Sequence, residues 1–262
     1  MKKLFFLLLF LLSFSVMAQE LKTEFKGKLM LEADSFVGID EFNNLYYISD
    51  NVLYKKTDKK VFSYSNPKLG SIHKVNIQNP FKIILFYADF NAAMLVDNNL
   101  NELSEVLNFT KETKFNNVSF VTGSSQNNIW LYADDNKLHL YDYKRNTELL
   151  QTLALTFYNP QFKPIDLVSS FKNVWVLADI GVFEFNEYGV FIRGYSLKDT
   201  SRIFPFQKGF IYETNGELYY NDLTQVIPLE FNYEGASETI YINSSKIYVY
   251  NGKEVYEFQI KS

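Results

Sequence analysis

The sequence predicts an all-β fold assembled from six similar units, and two observations lead to this prediction. A short apolar segment that ends in Asp or Asn recurs along the chain. Each copy is followed by a segment in which apolar and polar residues alternate, which is the period of a β-strand with one buried face. The six copies are NLYYISD (44–50), IILFYAD (83–89), IWLYAD (129–134), VWVLAD (174–179), GFIYETNG (209–216) and KIYVYNG (246–252).

The spacing of the copies indicates how the units are arranged. Their terminal Asp or Asn residues are 36 to 45 residues apart, which matches the length of a four-stranded blade in a β-propeller. A short strand precedes each copy and two further strands follow it, so the sequence predicts a six-bladed β-propeller.

The repeated Asp or Asn is predicted to lie at the tight turn between the second and third strands of each blade. Such side chains accept hydrogen bonds from the backbone two residues on and tolerate the dihedral angles of these turns. The alternative is a functional role, in which Asp50, Asp89, Asp134 and Asp179 form a ring of carboxylates that binds a cation or a basic partner.

The two ends of the chain predict how the propeller closes. The last unit ends at Ile260 after its third strand, whereas residues 24–32 precede the first unit and have no blade of their own. We therefore expect residues 24–32 to pair antiparallel with residues 254–260, so that an N-terminal strand completes the last blade. Closure would remove exposed sheet edges, and residues 19–262 would form one domain.

The first eighteen residues have the pattern of a secretory signal peptide. Two lysines precede an apolar run from Leu4 to Leu12, and small residues follow before Ala18. This run is shorter than the ~20 residues that span a bilayer, so we predict that residues 1–18 are cleaved and the chain is exported. Periplasmic, outer-membrane-associated and secreted locations remain open at this point.

Composition limits the classes of partner. Without Lys2 and Lys3 the chain has 24 basic and 30 acidic residues, a net charge of about −6, which gives no electrostatic reason to expect nucleic acid. No later segment is long and apolar enough to predict a transmembrane helix in the mature chain. The chain has no cysteine, so its stability should depend on a packed core and not on disulfides.

The repeated strings also resemble known repeat families. YYISD, LFYAD and WLYAD resemble the Tyr-Trp-Thr-Asp repeat of lipoprotein-receptor propellers and the Val-Tyr-Val-Ala-Asp core of NHL-type propellers. The resemblance implies a six-bladed propeller and assigns no binding residue.

A catalytic site is the less favoured interpretation. The chain has two histidines, His73 and His139, and no His–carboxylate pair is apparent, so we predict no catalytic residue, no metal ligand and no cofactor. The alternative function is a metal-dependent hydrolase, because lactonase-like propellers hold a divalent metal in their central tunnel. Asp40 and Asp166 would line such a tunnel, but their positions in their strands differ by about 10 Å in height.

The favoured function is a non-catalytic scaffold for a protein partner, in an envelope or outer-membrane complex of a bacterium. Long connections between blades are where recognition residues usually lie, and the connection 156–164 concentrates aromatic residues. Aromatic residues and Arg are enriched in interface hot spots, although the same loop could be a hydrophobic plug folded onto the blade rim. The predicted binding residues are Phe157, Tyr158, Phe162, Arg202 and Phe90.

Overall fold

A computed structural model describes residues 20–170 and 172–261, which form an all-β fold. The predicted signal peptide lies outside the described residues. In chain order the strands are β1 (Leu21–Met30), β2 (Ser35–Ile39), β3 (Leu45–Ser49), β4 (Val52–Lys56), β5 (Val61–Tyr64), β6 (Lys74–Asn76), β7 (Ile83–Tyr87), β8 (Ala92–Val96), β9 (Leu107–Asn108), β10 (Val118–Gly123), β11 (Asn128–Ala133), β12 (Leu138–Asp142), β13 (Thr147–Gln151), β14 (Pro164–Ser169), β15 (Asn173–Ala178), β16 (Gly181–Asn186), β17 (Phe191–Tyr195), β18 (Thr200–Phe206), β19 (Gly209–Thr214), β20 (Glu217–Asn221), β21 (Val226–Glu230), β22 (Thr239–Asn243), β23 (Lys246–Tyr250) and β24 (Glu254–Lys261).

The strands are grouped into sheets in sequence order. Units 1 to 4 are the four-stranded sheets β2–β5, β6–β9, β10–β13 and β14–β17. The remaining strands form one eight-stranded sheet, in the order β18-β19-β20-β21-β1-β24-β23-β22. We call β18–β21 unit 5, and β22–β24 together with β1 unit 6.

The predicted pairing between the chain ends is confirmed. β1 runs antiparallel to β24, with a register that extends from Lys22 opposite Lys261 to Met30 opposite Glu254. β1 also pairs in parallel with β21, through Leu21 opposite Leu229 and the residue that follows each. This short parallel contact joins units 5 and 6 into the eight-stranded sheet.

A buried apolar cluster lies between each pair of successive units. Phe86 of unit 2 packs with Val121 of unit 3, for example, and both are nearly inaccessible. A further cluster joins unit 6 to unit 1 and contains Phe36, Tyr248 and Tyr250. The second and third strands of unit 2 are buried on both faces, as expected for strands that lie between neighbouring sheets.

All six repeated Asp or Asn residues lie in the turn between the second and third strands of their unit, as predicted. The turns are stabilised in different ways, however. Asn251 Oδ1 accepts the predicted hydrogen bond from Lys253 N at 3.0 Å, whereas Asp50 and Asn215 adopt left-handed conformations with φ of 52° and 53°. Asp134 Oδ2 instead accepts a hydrogen bond from Asn116 N in the preceding connection.

Candidate functional site

The aromatic connection between units 3 and 4 is partly buried and partly exposed. Its 3₁₀ turn, Leu155–Phe157, places Leu155 in the core between the units. Phe162 is only 5% exposed and its ring packs 4.9 Å from that of Phe183. The expectation that Phe162 lies in an exposed surface is therefore wrong, because the wall of unit 4 offers an apolar site in which its ring is removed from water.

Phe157 and Tyr158 lie at the surface above Phe162. Phe157 is 72% exposed, and its ring contacts that of Tyr158 edge-on at 5.5 Å. Tyr158 is half-buried and stacks on Phe191 of β17 with ring centroids 4.2 Å apart. Burial raises the pKa of the Tyr158 phenol, so this side chain is neutral and presents an apolar ring with a polar tip. The connection is thus both a plug and an exposed aromatic surface.

Tyr158 lines a groove between the outer strands of units 3 and 4, which we call the rim groove. Its volume is about 620 Å³, and it is lined mainly by Lys137, Gln151, Leu153, Tyr158, Val190 and Phe191.

The turn between β16 and β17 forms one side of this groove. Asn186 Oδ1 accepts hydrogen bonds from Tyr188 N and Val190 N, at 2.9 and 3.0 Å. Gly189 adopts φ 72° at a point where a Cβ would lie 2.8 Å from Leu150 Cδ1, so glycine allows the turn to approach unit 3 closely. This local geometry holds Tyr188 and Val190 at the surface.

Large apolar side chains are unusually exposed on the elements that surround the rim groove. The exposed large apolar residues are Leu149 of β13, Leu153 just after it, Phe157 of the aromatic connection, Tyr188 and Val190 of the β16–β17 turn, and Ile192 of β17. β13 and β17 are also the outermost strands of their sheets, each with a partner on one edge only among the described residues. Exposed apolar side chains and strand edges without a partner are both typical of protein-binding sites.

Arg202 and Phe90 do not join this surface. Arg202 lies on β18, where its Nη2 donates a hydrogen bond to the carbonyl oxygen of Glu238 at 3.1 Å, between units 5 and 6. Phe90 lies in the turn of unit 2, is 50% exposed, and approaches Gly70. The structure therefore brings together Phe157, Tyr158 and, beneath them, Phe162, while the other two predicted residues belong to separate boundaries between units.

A second candidate site lies where the first strands of all six units meet. These strands, β2, β6, β10, β14, β18 and β22, or the turns that follow them, line a cavity of about 320 Å³, which we call the axial cavity. One wall is polar and contains Lys74, Asn76 and Asp166. The part lined by β18 and β22 is mainly apolar and contains Ile203, Phe204 and Ile242.

The acidic residues predicted for the tunnel have other partners. Asp40 is 3% exposed and accepts hydrogen bonds from Phe42 N, Asn44 and Tyr46 Oη, so it stabilises the turn after β2 and is not among the residues that line the cavity. Asp166 forms an ion pair with Lys74. Within residues 20–170 and 172–261, no three His, Cys, Asp or Glu side chains lie close enough to hold a metal ion.

A His–carboxylate pair, which the sequence analysis did not find, lies in unit 3. His139 is fully buried on β12; its Nε2 lies 2.9 Å from Asp135 Oδ1, and its Nδ1 lies 3.3 Å from Glu148 Oε2. The imidazole also packs against Phe115 with ring centroids 4.2 Å apart. The four-residue spacing of Asp135 and His139 across a predicted turn was an available signal, but the contact with Glu148 depends on hairpin register. Because the ring is fully buried, the pair is part of the packing between units 2 and 3.

Comparisons with known proteins identify the fold. No protein-family model matches the chain, and a comparison with curated protein sequences gives no significant match. The structure is similar to that of virginiamycin B lyase from Staphylococcus aureus, with a TM-score of 0.59 and 9% sequence identity, covering 90% of this chain and 99% of that chain. It is also similar to BBS1N in its complex with ARL6DN, with a TM-score of 0.59 and 11% identity, covering 87% of this chain and 78% of that one. The WD40 domain of Pan2 from Neurospora crassa has a TM-score of 0.54 and 13% identity, covering 87% of this chain and 74% of the other. At these identities the similarity concerns the fold alone, and the chain has an all-β fold with propeller-like structural neighbours.

Proposed function

We propose that this chain is a closed six-bladed β-propeller that acts as a non-catalytic scaffold for a protein partner in a bacterial cell envelope. Each unit would be one blade, with β1 as the outermost strand of the last. The buried cluster between units 6 and 1 supports closure of the ring, because a row of sheets open at one side would leave those side chains exposed. The parallel contact between β21 and β1 would be a local junction between two adjacent blades.

The observation that carries the scaffold proposal is the apolar surface around the rim groove. Phe157 and Tyr188 are both more than 70% exposed, and burying one such ring in an interface would contribute about 1.5–3 kcal/mol. The groove lies between two strand edges that have no partner among residues 20–170 and 172–261, so the partner that it fits best is an extended segment of another protein. Such a segment would place apolar side chains in the groove and pair its backbone with β13 or β17.

The known contacts of the tunnel acids favour a scaffold over a hydrolase. Asp40 accepts four hydrogen bonds from its own turn and from Tyr46, and Asp166 is paired with a lysine. Among the described residues, neither carboxylate belongs to a group of three His, Cys, Asp or Glu side chains that could hold a divalent metal.

Export rests on the signal peptide predicted for residues 1–18. Among the described residues, no helix is both long and apolar enough to cross a membrane. Fractionation of the source bacterium, with mass spectrometry of the N-terminus, tests this part of the proposal. Gln19 should be the first residue of the exported protein, whereas an intact N-terminus in the cytoplasmic fraction would contradict export.

The docking proposal is tested by affinity capture with matched variants of the full chain. Val190→Asp places a charge in the rim groove, and Val61→Asp places the same charge on β5, where the exposure is 57% against 56% at Val190. Proteins captured by the wild type and by Val61→Asp should be lost from Val190→Asp. Equal capture by all three forms would show that the rim groove is not the docking site.

A further inference from the structure

We propose that the axial cavity binds a small zwitterion, with α-amino acids that carry an apolar side chain as the chemical class. This site is separate from the rim groove and does not depend on the scaffold function. The proposal rests on a pair of opposite charges that can make further hydrogen bonds, on the apolar residues that line the same cavity, and on the size of the cavity.

The charged pair comes from two strands that are not neighbours in sequence. Lys74 of β6 contacts Asp166 Oδ1 of β14, and the two side chains are 33% and 30% exposed. An ammonium group has three donors, and the contact with Asp166 is the one hydrogen bond that Lys74 Nζ makes among the described residues. Asp166 Oδ1 also accepts a hydrogen bond from Leu167 N at 2.7 Å, whereas no described residue donates to Asp166 Oδ2. Lys74 Nζ can therefore donate to a ligand, and Asp166 Oδ2 can accept from one, in place of water.

The surrounding wall determines which part of a ligand could face away from the charges. Ile203, Phe204, Pro205 and Ile242 line the cavity together with the ring of Tyr241. Burial, with the charge of Asp40 as a smaller cause, raises the pKa of Tyr241, so its hydroxyl is a neutral donor. An apolar side chain placed against this wall would be removed from water, which is the favourable term in binding.

The combination of charges excludes simpler ligand classes. The cavity is lined by one cation, Lys74, and two carboxylates, Asp166 and Glu41. A free anion would be repelled by the carboxylates and a free cation by the ammonium of Lys74, so each would be both attracted and repelled. The carboxylate and the ammonium of one α-amino acid can instead contact Lys74 Nζ and Asp166 Oδ2 together. A volume of about 320 Å³ is at the small end of the range for ligand pockets, which fits one amino acid better than a longer peptide.

The test is isothermal titration calorimetry of the full chain with L-phenylalanine and two derivatives. N-acetyl-L-phenylalanine lacks the ammonium group, and L-phenylalaninamide lacks the carboxylate. We expect L-phenylalanine to bind and each derivative to bind at least about tenfold more weakly, because each leaves one charged side chain without its partner. Asp166→Asn should remove the preference for L-phenylalanine over the acetylated form, and Lys74→Met should remove the preference over the amide.

A matched ion pair serves as the control. Lys246 and Glu257 are 2.9 Å apart and 32% and 33% exposed, close to the values for Lys74 and Asp166, but they lie outside the axial cavity. Lys246→Met should bind all three probes as the wild type does. Val190→Asp should also bind them unchanged, which separates this proposal from the docking proposal.

Two outcomes would overturn the proposal. The first is no heat of binding from L-phenylalanine at millimolar concentration in a wild-type protein with a cooperative thermal transition. The second is binding that neither Asp166→Asn nor Lys74→Met alters while both variants remain folded by circular dichroism. Either result would assign the ion pair a structural role, that of joining β6 to β14 across β10.

Discussion

Glu24 Oε2 lies 2.8 Å from Lys261 Nζ, so an ion pair links the first strand of the chain to the last. Lys26 contacts the same oxygen, also at 2.8 Å. The hydrogen bond from Lys26, followed by that from Lys261, lowers the pKa of the Glu24 carboxyl from 4.5 to about 2. The same carboxylate therefore contacts one lysine of its own strand, β1, and one lysine of the paired strand, β24.

This arrangement predicts that the stability contributed by the pairing of β1 with β24 depends on pH. Because the pKa of Glu24 is lower in the folded chain than in the unfolded chain, its contribution to stability is complete above pH 4.5 and is lost as the pH falls towards 2. The melting temperatures of the wild type and Glu24→Gln should differ near pH 6 and should converge as the pH falls. High salt should reduce the difference, because the group is exposed and screened.

Glu32→Gln is the control for this pH experiment. Glu32 follows β1 and forms no ion pair with any described residue. A difference in melting temperature between wild type and Glu24→Gln that grows as the pH falls would contradict the lowered pKa assigned to Glu24.

The apolar part of the same junction is predicted to contribute more to stability. Phe258 of β24 is 4% exposed and lies opposite Phe25 of β1, with ring centroids 5.5 Å apart. Phe258→Ala should lower the free energy of unfolding by about 3–5 kcal/mol, because it leaves a cavity between units 5 and 6. Phe25 is 53% exposed, so Phe25→Ala should cost less than about 1 kcal/mol. Urea denaturation measures both values, and equal losses would show that the two rings are not buried as described.

The aromatic connection provides a second matched pair of variants. Phe162 is buried between units 3 and 4, whereas Phe157 is 72% exposed. Phe162→Ala should lower stability by about 3–5 kcal/mol, and Phe157→Ala should change it by no more than about 0.5 kcal/mol. If partner capture is measured as well, Phe157→Ala should weaken capture without unfolding the protein. A large loss of stability in Phe157→Ala would instead show that this ring is also part of the plug.

Lys82 is predicted to stabilise the boundary between units 2 and 3. Its side chain is buried, and Nζ donates hydrogen bonds to the carbonyl oxygens of Ser124, Gln126 and Asn128 at 2.6, 2.8 and 2.9 Å. Lys82→Met keeps the apolar stem and removes the donor. We expect the free energy of unfolding to fall by at least about 1–3 kcal/mol, because the three carbonyl oxygens lose their hydrogen-bond donor. Chemical denaturation measures this loss, with Lys68→Met in an exposed 3₁₀ turn as the control. An unchanged denaturation midpoint for Lys82→Met would mean that water donates to the three carbonyl oxygens in place of the ammonium.

Much of the fold could be predicted because its signals are local. The alternation of apolar residues in a strand and the Asp or Asn of a tight turn are set by residues close in sequence. For that reason all six repeated Asp or Asn residues lie at the predicted turns. The pairing of residues 24–32 with 254–260 followed from counting strands, since a unit with three strands leaves one position open for the N-terminal segment.

The candidate site was predicted less well, for a physical reason that the aromatic connection illustrates. Phe157 and Phe162 are the same residue type in one loop, yet one is exposed and the other is buried against Phe183. Their environments depend on which side of the loop faces unit 4, and no local pattern encodes that orientation. Arg202 is also a predicted binding residue, but it lies within β18 and its hydrogen bond to Glu238 belongs to another boundary.

The sequence by itself determined the all-β class, the repeated unit, the turn positions and the pairing of the two chain ends. Each of these follows from strand periodicity, from turn chemistry or from the number of strands available. Only the tertiary structure decided that Lys74 and Asp166 meet in the axial cavity, that Asp135 and Glu148 both contact His139, and that Tyr158 stacks on Phe191. These contacts join residues from different strands or units, so they depend on how the sheets are packed and twisted against one another.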